Sequence, residues 1–214
     1  MRHLIVNADD FGYSFSVNKG IIEAHTRGIV TSTSVMVDAI AADEATGLIQ
    51  YDELSIGLHF EVVNFDNVER EFERQVAKFV SIVGRQPDHI DTHKLYTSNE
   101  RFSPTLPEYA KRHGIPIREL SGIKFIDSFF GFHSSGDVSV RRLKAAIDEA
   151  TDEYNELMCH VGYADDYLRG KSSYSDKREE ELASVCNPDI KAYLQEKRVK
   201  LIAWNQVPID ALQT

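Results

Sequence analysis

The feature that most constrains the fold of this chain is a regular alternation of strand-like and helix-like segments. The apolar segment "HLIVNA" precedes "SVNKGIIEAHTRG", which has apolar residues on one helical face, and "LSIGLHFEVV" precedes the amphipathic "FDNVEREFERQVAKFVSIVG". About seven strands can be recognised in this way, including "IPIREL", and nearly all of them are followed by helices, including a short one in "IAADEATGLIQY". This order predicts a mainly parallel sheet covered by helices.

The length of the chain narrows the choice among parallel α/β folds. With 214 residues and a hydrophobic content of 42%, the chain suits a single domain, residues 1–214, with one sizeable core. About seven strand–helix units predict an α/β fold of the (β/α) barrel type, distorted or incomplete. A doubly wound open sheet is the alternative, but no G-x-G-x-x-G motif follows the first strand, which argues against its dinucleotide-binding version.

Charge and composition exclude several classes of partner. The formal net charge of -10 disfavours binding to nucleic acid or to an anionic membrane surface. The apolar run near the start is too short for the core of a signal peptide, and no stretch approaches the roughly 20 apolar residues of a membrane span. Cys159 and Cys186 are far apart and form no C-x-x-C motif. We therefore expect a cytoplasmic protein with two reduced thiols.

Polar side chains occur where several predicted strands end. In parallel α/β folds these ends share one edge of the sheet, where active sites lie, so residues distant in sequence are expected to meet there. A single histidine in an apolar segment is more often a hydrogen-bonded structural residue. Several histidines and an aspartate pair at one edge favour a functional site instead. The residues at the predicted strand ends are Asp9, Asp10, His59, Asp91, His93, Arg118, Glu119 and His160.

The types of these residues indicate a metal centre. One carboxylate and two imidazoles form a mixed nitrogen and oxygen donor set that suits Zn, Co, Ni, Mn or Fe. Asp9 and Asp10 are adjacent, and two like charges in contact are unfavourable unless a cation or a shared proton offsets them. One Asp would then bind the metal and the other would transfer protons. The simpler alternative is that one Asp only caps the following helix.

Six sequence motifs carry a family resemblance. The segments "NADDFG", "GIIEAHTRGIVTSTSVMV", "GLH", "HIDTH", "ELMCH" and "REEEL" occur in this order over nearly the whole chain. With them the sequence resembles the YdjC-like family of carbohydrate deacetylases, which includes chitooligosaccharide deacetylases. The resemblance implies a distorted (β/α) barrel, similar to a TIM barrel, and hydrolytic removal of acetyl from an N-acetylated sugar or oligosaccharide. It also implies one divalent metal ion (Zn, Mg or another first-row transition metal) and a homodimer.

The resemblance also implies roles for the residues in these motifs. By position, Asp10 is the metal carboxylate, and His59 of "GLH" and His93 of "DTH" are the imidazole ligands. Asp9 is the catalytic base, and His160 of "MCH" is a general acid or a partner of the oxyanion. The alternatives are that Asp9 caps a helix and that His160 is a core histidine.

Further residues have weaker assignments. Arg118 and Arg178 are expected to bind substrate or to orient a carboxylate, unless each only forms a salt bridge. Asp91 is expected to accept a hydrogen bond from a ligand histidine. His133 and the aromatic residues in "FIDSFFGFH" line a sugar cleft in one interpretation and pack in the core in the other. The remaining four histidines are expected to face solvent: His3, His25, His89 and His113.

The sequence also departs from the family pattern. Leu95 and Tyr96 follow "DTHK" where further alternate histidines are common, and "CHVG" replaces "CHP". These changes leave the expected metal ligands intact but alter residues that are expected to line the substrate-binding cleft. Two other functions therefore stay open: a metallohydrolase acting on another amide, an ester or a phosphoester, and a catalytically silent relative that binds sugar. The absence of a phosphate-cradling motif disfavours the phosphoester.

Overall fold

The computed structural model of the chain describes residues 1–62, 67–93, 105–131 and 136–212; at 105, 109 and 110 it describes only the backbone. The strands are β1 (Arg2–Phe11), β2 (Ser32–Val35), β3 (Ser55–Phe60), β4 (Ile90–Thr92), β5 (Lys124–Ile126), β6 (Tyr154–Cys159) and β7 (Val199–Leu201). The helices are α1 (Phe15–Thr26), α2 (Val68–Val83), α3 (Thr105–His113), α4 (Val140–Asp148), α5 (Asp166–Lys171), α6 (Asp176–Val185) and α7 (Pro188–Glu196). Within these ranges no helix is long and apolar enough to span a membrane.

The strands form one parallel sheet in the described part of the chain. Its order is β4-β3-β2-β1-β6-β5, and β7 pairs with the first residues of β1. The curl of the sheet is evident from a hydrogen bond of 3.2 Å that the Asn7 side chain on β1 donates to Asp91 on β4, although two strands lie between β1 and β4. No pairing between described residues joins β4 to β5, so the barrel is incomplete. The predicted α/β fold, a distorted or incomplete (β/α) barrel with about seven parallel strands, is confirmed.

Helix α2 shows how the sequence pattern builds this fold. Its buried residues include Phe72, Val76 and Phe79 at spacings of three and four, which form the apolar face that packs on the sheet. Gly84 ends the helix with φ +84°, a left-handed conformation that favours glycine. Each large apolar side chain buried in this way contributes about 1.5–3 kcal/mol.

The prediction that the segment "IPIREL" is a strand is wrong. It forms only a single parallel bridge, between Ile117 and Ile90, and the strand that pairs with β6 is β5, further along the chain. Pro116 has no N–H to donate to a ladder, and Glu119 has φ +67°, so the backbone turns instead of extending. The predicted helix in "IAADEATGLIQY" is a 3-10 helix over Ala42–Gln50.

His89 does not face solvent as expected. It is fully buried, its ring stacks on Trp204 with centroids 5.0 Å apart, and neither ring nitrogen has a hydrogen-bond partner among the described residues. Gly57 leaves the space for this ring, because a Cβ at that position would lie 2.4 Å from it. Of the other three histidines expected at the surface, His113 is exposed, and His3 and His25 are partly buried.

We predict that His89 makes the protein less stable in acid. Burial lowers the pKa of His89 from 6.5 to about 4, so the unfolded chain binds the proton more tightly than the folded one. The resulting stabilisation is present above pH 6.5 and is lost as the pH falls toward 4, by about 3 kcal/mol at most. In denaturant titrations between pH 7 and 4.5, His89→Leu should lose stability less steeply than the parent chain, whereas the exposed control His113→Gln should not. Equal slopes for His89→Leu and the parent would contradict this assignment.

Candidate metal centre

The end of β1 places two carboxylates at the same edge of the sheet. In a regular strand Asp9 and Asp10 would point to opposite faces. The pairing of β1 with β2 shifts by one residue between Ala8 and Phe11, and Asp10 has φ +72°, a conformation that costs about 1–3 kcal/mol away from glycine. This bulge turns both side chains toward the inside of the curled sheet, where each is 2% exposed. Neither caps α1, because Ser14 accepts the capping hydrogen bond from the backbone N–H of Val17.

Two imidazoles from two other strand ends converge beside Asp10. His59 lies on β3 and His93 directly follows β4. The His59 Nε2 atom is 3.1 Å and the His93 Nδ1 atom 3.7 Å from Asp10 Oδ1. One donor atom from each of the three residues lies within 4.8 Å of the other two. The structure thus brings together the carboxylate and the two imidazoles that the sequence predicts as metal ligands.

The hydrogen bonding of His59 supports a cation at this position. Its Nδ1 lies 2.6 Å from Asp91 Oδ1, and because a carboxylate only accepts, Nδ1 carries the hydrogen. In the neutral ring, Nε2 therefore presents a lone pair to Asp10 Oδ1. Among the described residues, Asp10 Oδ1 and His93 Nδ1 are buried without a hydrogen-bond partner. With both rings neutral and their lone pairs turned toward Asp10, three electron-pair donors face one another, an arrangement that fits a divalent metal ion.

The pKa shifts of His59 and Asp10 indicate that a metal ion would compete with a proton on His59. Burial lowers the pKa of His59, but the Asp91 and Asp10 carboxylates outweigh it and hold this pKa well above its ordinary value. Burial raises the pKa of Asp10, but Arg178 and the two histidines hold it well below its ordinary value. A proton on His59 and a metal ion would thus balance the same negative charge, and metal affinity should fall in acid.

Arg118 forms hydrogen bonds or ion pairs with three carboxyl groups next to the predicted metal ligands. Its NH1 and NH2 groups bind both oxygens of Asp9 at 2.7 and 2.8 Å, and NH2 also lies 2.9 Å from Asp91 Oδ2. Its Nε and NH2 donate to Glu156 at 3.0 and 2.9 Å. Burial raises the pKa of Glu156 to about 7, although Arg118 opposes the shift. Every donor nitrogen of the Arg118 guanidinium is therefore engaged by a carboxyl group, which favours an orienting role.

Arg178 reaches the other side of Asp10 from helix α6. Its NH2 donates to Asp10 Oδ2 over 2.6 Å, and its Nε donates to the backbone carbonyl of Tyr174 over 3.0 Å. The NH1 group is buried without a hydrogen-bond partner among the described residues. As far as the described residues show, Arg178 therefore has one donor group available next to a predicted metal ligand.

His160 follows β6 and completes the mouth of the site. Its ring stacks on Phe130 with centroids 4.2 Å apart, and its Nδ1 has no hydrogen-bond partner in the described part of the chain. Burial lowers the pKa of His160 to about 4, against the pull of the nearby carboxylates, so the ring is neutral at pH 7. Its backbone N–H donates to Glu181, whose pKa burial raises to about 7.

The structure adds polar residues that the sequence analysis did not single out. They are Asn7, Glu156, Tyr174 and Glu181. Asn7 shares the strand face of Asp9, and Glu156 shares that of His160, so polar residues at alternate positions of apolar strands were a usable indication. Tyr174 and Glu181 lie outside any strand and gave no such indication. The predicted cleft residue His133 lies outside the described residues.

The fold and these side chains define an α/β protein with a candidate metal centre at the carboxyl edge of a curled parallel sheet. Residues 3–67 and 60–196 match the sequence model of the family described as YdjC-like protein. Because this match covers most of the chain, the chain belongs to the YdjC-like family.

Curated proteins similar to this chain match it over nearly their full length. A carbohydrate deacetylase of Geobacillus stearothermophilus is 33% identical over 240 residues, covering 96% of this chain and 98% of that protein. A chitooligosaccharide deacetylase of Serratia marcescens is 32% identical over 241 residues, covering 91% and 94%.

Solved structures support the fold. The chain superposes on a candidate cellobiose-phosphate cleavage protein from Enterococcus faecalis V583 with a TM-score of 0.84 and 24% identity, covering 95% of this chain and 97% of that one. A family 4 carbohydrate esterase from Streptomyces lividans has a TM-score of 0.60 at 15% identity, covering 94% and 91%. At these identities the likeness shows a shared fold.

We predict that metal binding depends on the two histidines and on the carboxylate behind one of them. His59→Ala and His93→Ala should each abolish tight binding of Zn or Mn, because each removes a donor atom. Asp91→Asn keeps all three donors but loses the carboxylate that orients His59, so affinity should fall about 10- to 100-fold. Isothermal titration calorimetry on chelator-treated protein measures these changes, with His25→Ala as a control away from the site. Parental affinity in both histidine variants would show that the metal binds elsewhere.

Proposed function

We propose that this protein is a metal-dependent hydrolase that removes acetyl from an N-acetylated sugar or oligosaccharide. The observation that carries the proposal is the donor set Asp10, His59 and His93 with a second carboxylate, Asp9, directly beside it. Membership of the YdjC-like family supports the assignment. So do the full-length relatives named carbohydrate deacetylase and chitooligosaccharide deacetylase.

In this proposal Asp10, His59 and His93 hold one divalent ion, and Asp91 orients His59. Two nitrogen donors and one oxygen donor favour Zn, Mn, Fe, Co or Ni over Mg, which prefers oxygen ligands. The ion, when bound, would lower the pKa of a water molecule and polarise an acyl carbonyl.

Asp9 is proposed as the base that takes the proton from the attacking water. The carboxylates of Asp9 and Asp91 and a ring nitrogen of His59 form a second group whose donor atoms lie within 4.8 Å of one another. Arg118 already pairs with both of these carboxylates, so we assign the metal to Asp10, His59 and His93 and keep Asp9 as their neighbour. Arg118 binds both Asp9 oxygens and fixes the plane of the carboxylate. Asn7 donates a further hydrogen bond to Asp9 Oδ1 over 2.8 Å. Direct binding of substrate by Arg118 stays a prediction.

His160 and Arg178 are proposed to act on the acyl group and on the leaving amine. The neutral His160 ring donates a hydrogen bond from its N–H, which suits stabilisation of the acyl oxygen. As a general acid for the amine it must first gain a proton, which the neighbouring Asp10 and Asp9 carboxylates favour. The NH1 group of Arg178, which has no hydrogen-bond partner among the described residues, adds a positive group for a substrate oxygen.

Release of acetate from a panel of N-acetylated sugars tests this function. We expect the metal-loaded protein to release acetate from at least one monosaccharide or chitooligosaccharide, and chelation to stop it. Substitutions in the aspartate pair should fail in different ways. Asp10→Asn should lose metal affinity, whereas Asp9→Asn should keep the metal and lose about a hundred- to ten-thousand-fold in kcat.

Two outcomes would argue against the proposal. Hydrolysis of simple esters or phosphoesters with no release of acetate from any sugar amide would favour the broader metallohydrolase interpretation. Near-parental kcat in Asp9→Asn would leave the base unassigned.

A further inference from the structure

Helix α6 carries a buried carboxyl group that the proposed mechanism does not use. Glu181 is 0% exposed and lies one helical turn after Arg178. Its Oε2 accepts a hydrogen bond from the backbone N–H of His160 over 2.6 Å, and its Oε1 accepts one from the Tyr174 hydroxyl. Burying a carboxyl group is unfavourable unless its partners are fixed, so this contact holds the end of β6 in one position.

Tyr174 extends this contact to a second segment beside His160. The backbone N–H of Gly131 donates to the Tyr174 hydroxyl oxygen over 3.0 Å. Glycine permits this close approach, because a Cβ on Gly131 would lie 2.5 Å from that oxygen and Tyr174 would have to shift. The preceding residue, Phe130, stacks on the His160 ring with centroids 4.2 Å apart and 25° between the planes. The Tyr174 ring meets the edge of Phe130 at 4.8 Å.

The hydrogen bonds and the ring contacts form a closed path. The path leaves His160 through its backbone N–H, passes through Glu181, Tyr174 and Gly131, and returns to the His160 imidazole through the Phe130 ring. The same Tyr174 residue also accepts from Arg178 Nε through its carbonyl oxygen over 3.0 Å. A shift of Tyr174 would therefore move both of the groups that face Asp10 from this side of the mouth.

We propose that Glu181 and Tyr174 are positioning residues, which fix the backbone of His160 and hold Phe130 against its imidazole so that the ring keeps one orientation toward the substrate. This inference rests on the proposed function only where it concerns catalysis. The placement of the His160 ring can be measured without any substrate.

The first test is an NMR comparison of the histidine ring protons. A stacked phenyl ring shifts the carbon-bound protons of His160 upfield, and their signals are identified by their loss in His160→Ala. In Tyr174→Phe, which removes the hydroxyl that joins Glu181 to Gly131, we expect these signals to move toward the positions of exposed histidines. Tyr193→Phe is the matched control, because its hydroxyl donates over 2.7 Å to Asp148, away from the site.

The second test is kinetic. In metal-loaded protein, Tyr174→Phe and Glu181→Gln should lower kcat for acetate release about tenfold or more, with little change in KM or metal content. A purely structural role predicts a lower Tm with parental kcat in the folded protein. Tyr193→Phe should keep the parental kcat.

Two results would overturn the inference. One is an unchanged set of His160 ring signals in both Tyr174→Phe and Glu181→Gln. The other is a shifted set of signals with parental kcat in both variants. If the parent chain releases no acetate from any sugar, the proposed function fails, and the NMR comparison still decides whether these residues position the His160 ring.

Discussion

Two adjacent carboxylates, Asp9 and Asp10, lie buried at the end of β1, and the rest of the site depends on how their charges are balanced. Two like charges about 4 Å apart repel by roughly 4 kcal/mol at an effective dielectric constant of 20. Arg118 neutralises Asp9 through two hydrogen bonds, and Arg178 neutralises one oxygen of Asp10. In the described part of the chain, the other oxygen of Asp10 faces nitrogens of His59 and His93, at 3.1 and 3.7 Å. Because the two carboxylates are paired differently, Asp9 is suited to accept a proton and Asp10 is suited to bind a metal ion.

The partners of these carboxylates come from distant parts of the chain, which explains why the sheet must curl. Arg118 follows the bridge beside β4, His59 ends β3, and Arg178 reaches in from α6. In a flat sheet, two strands would separate β4 from β1. Asp91 on β4 could then contact His59 on β3 but could not also reach Asn7 on β1. The small residues at close approaches serve the same geometry. Gly57 makes room for the His89 ring against β3, and Gly131 makes room for Tyr174 beside His160.

The sequence predicted the fold class and the edge at which the site lies, because strand and helix periodicities are local and strand ends are easy to recognise. The strand ends placed Asp10, His59 and His93 at one edge, and the family resemblance then implied that these three residues are the metal ligands. The structure brings them together. What it could not supply depends on contacts between distant segments. The surroundings of Glu156 and Glu181 follow from tertiary packing, and so does the burial of His89. The turn after Pro116 is a local feature that the sequence analysis did not predict, because a segment with β-branched residues is also typical of a strand.

The central claim is that Asp10, His59 and His93 bind one divalent metal while Asp9 stays free of it. A crystal structure of the Zn- or Mn-loaded protein, with anomalous diffraction to locate the ion, tests this most directly. The account predicts one strong anomalous peak about 2.0–2.2 Å from Asp10 Oδ1, His59 Nε2 and His93 Nδ1, with Asp9 still bound to Arg118. A peak coordinated by Asp9, or a fully loaded protein with its metal away from these three residues, would contradict it.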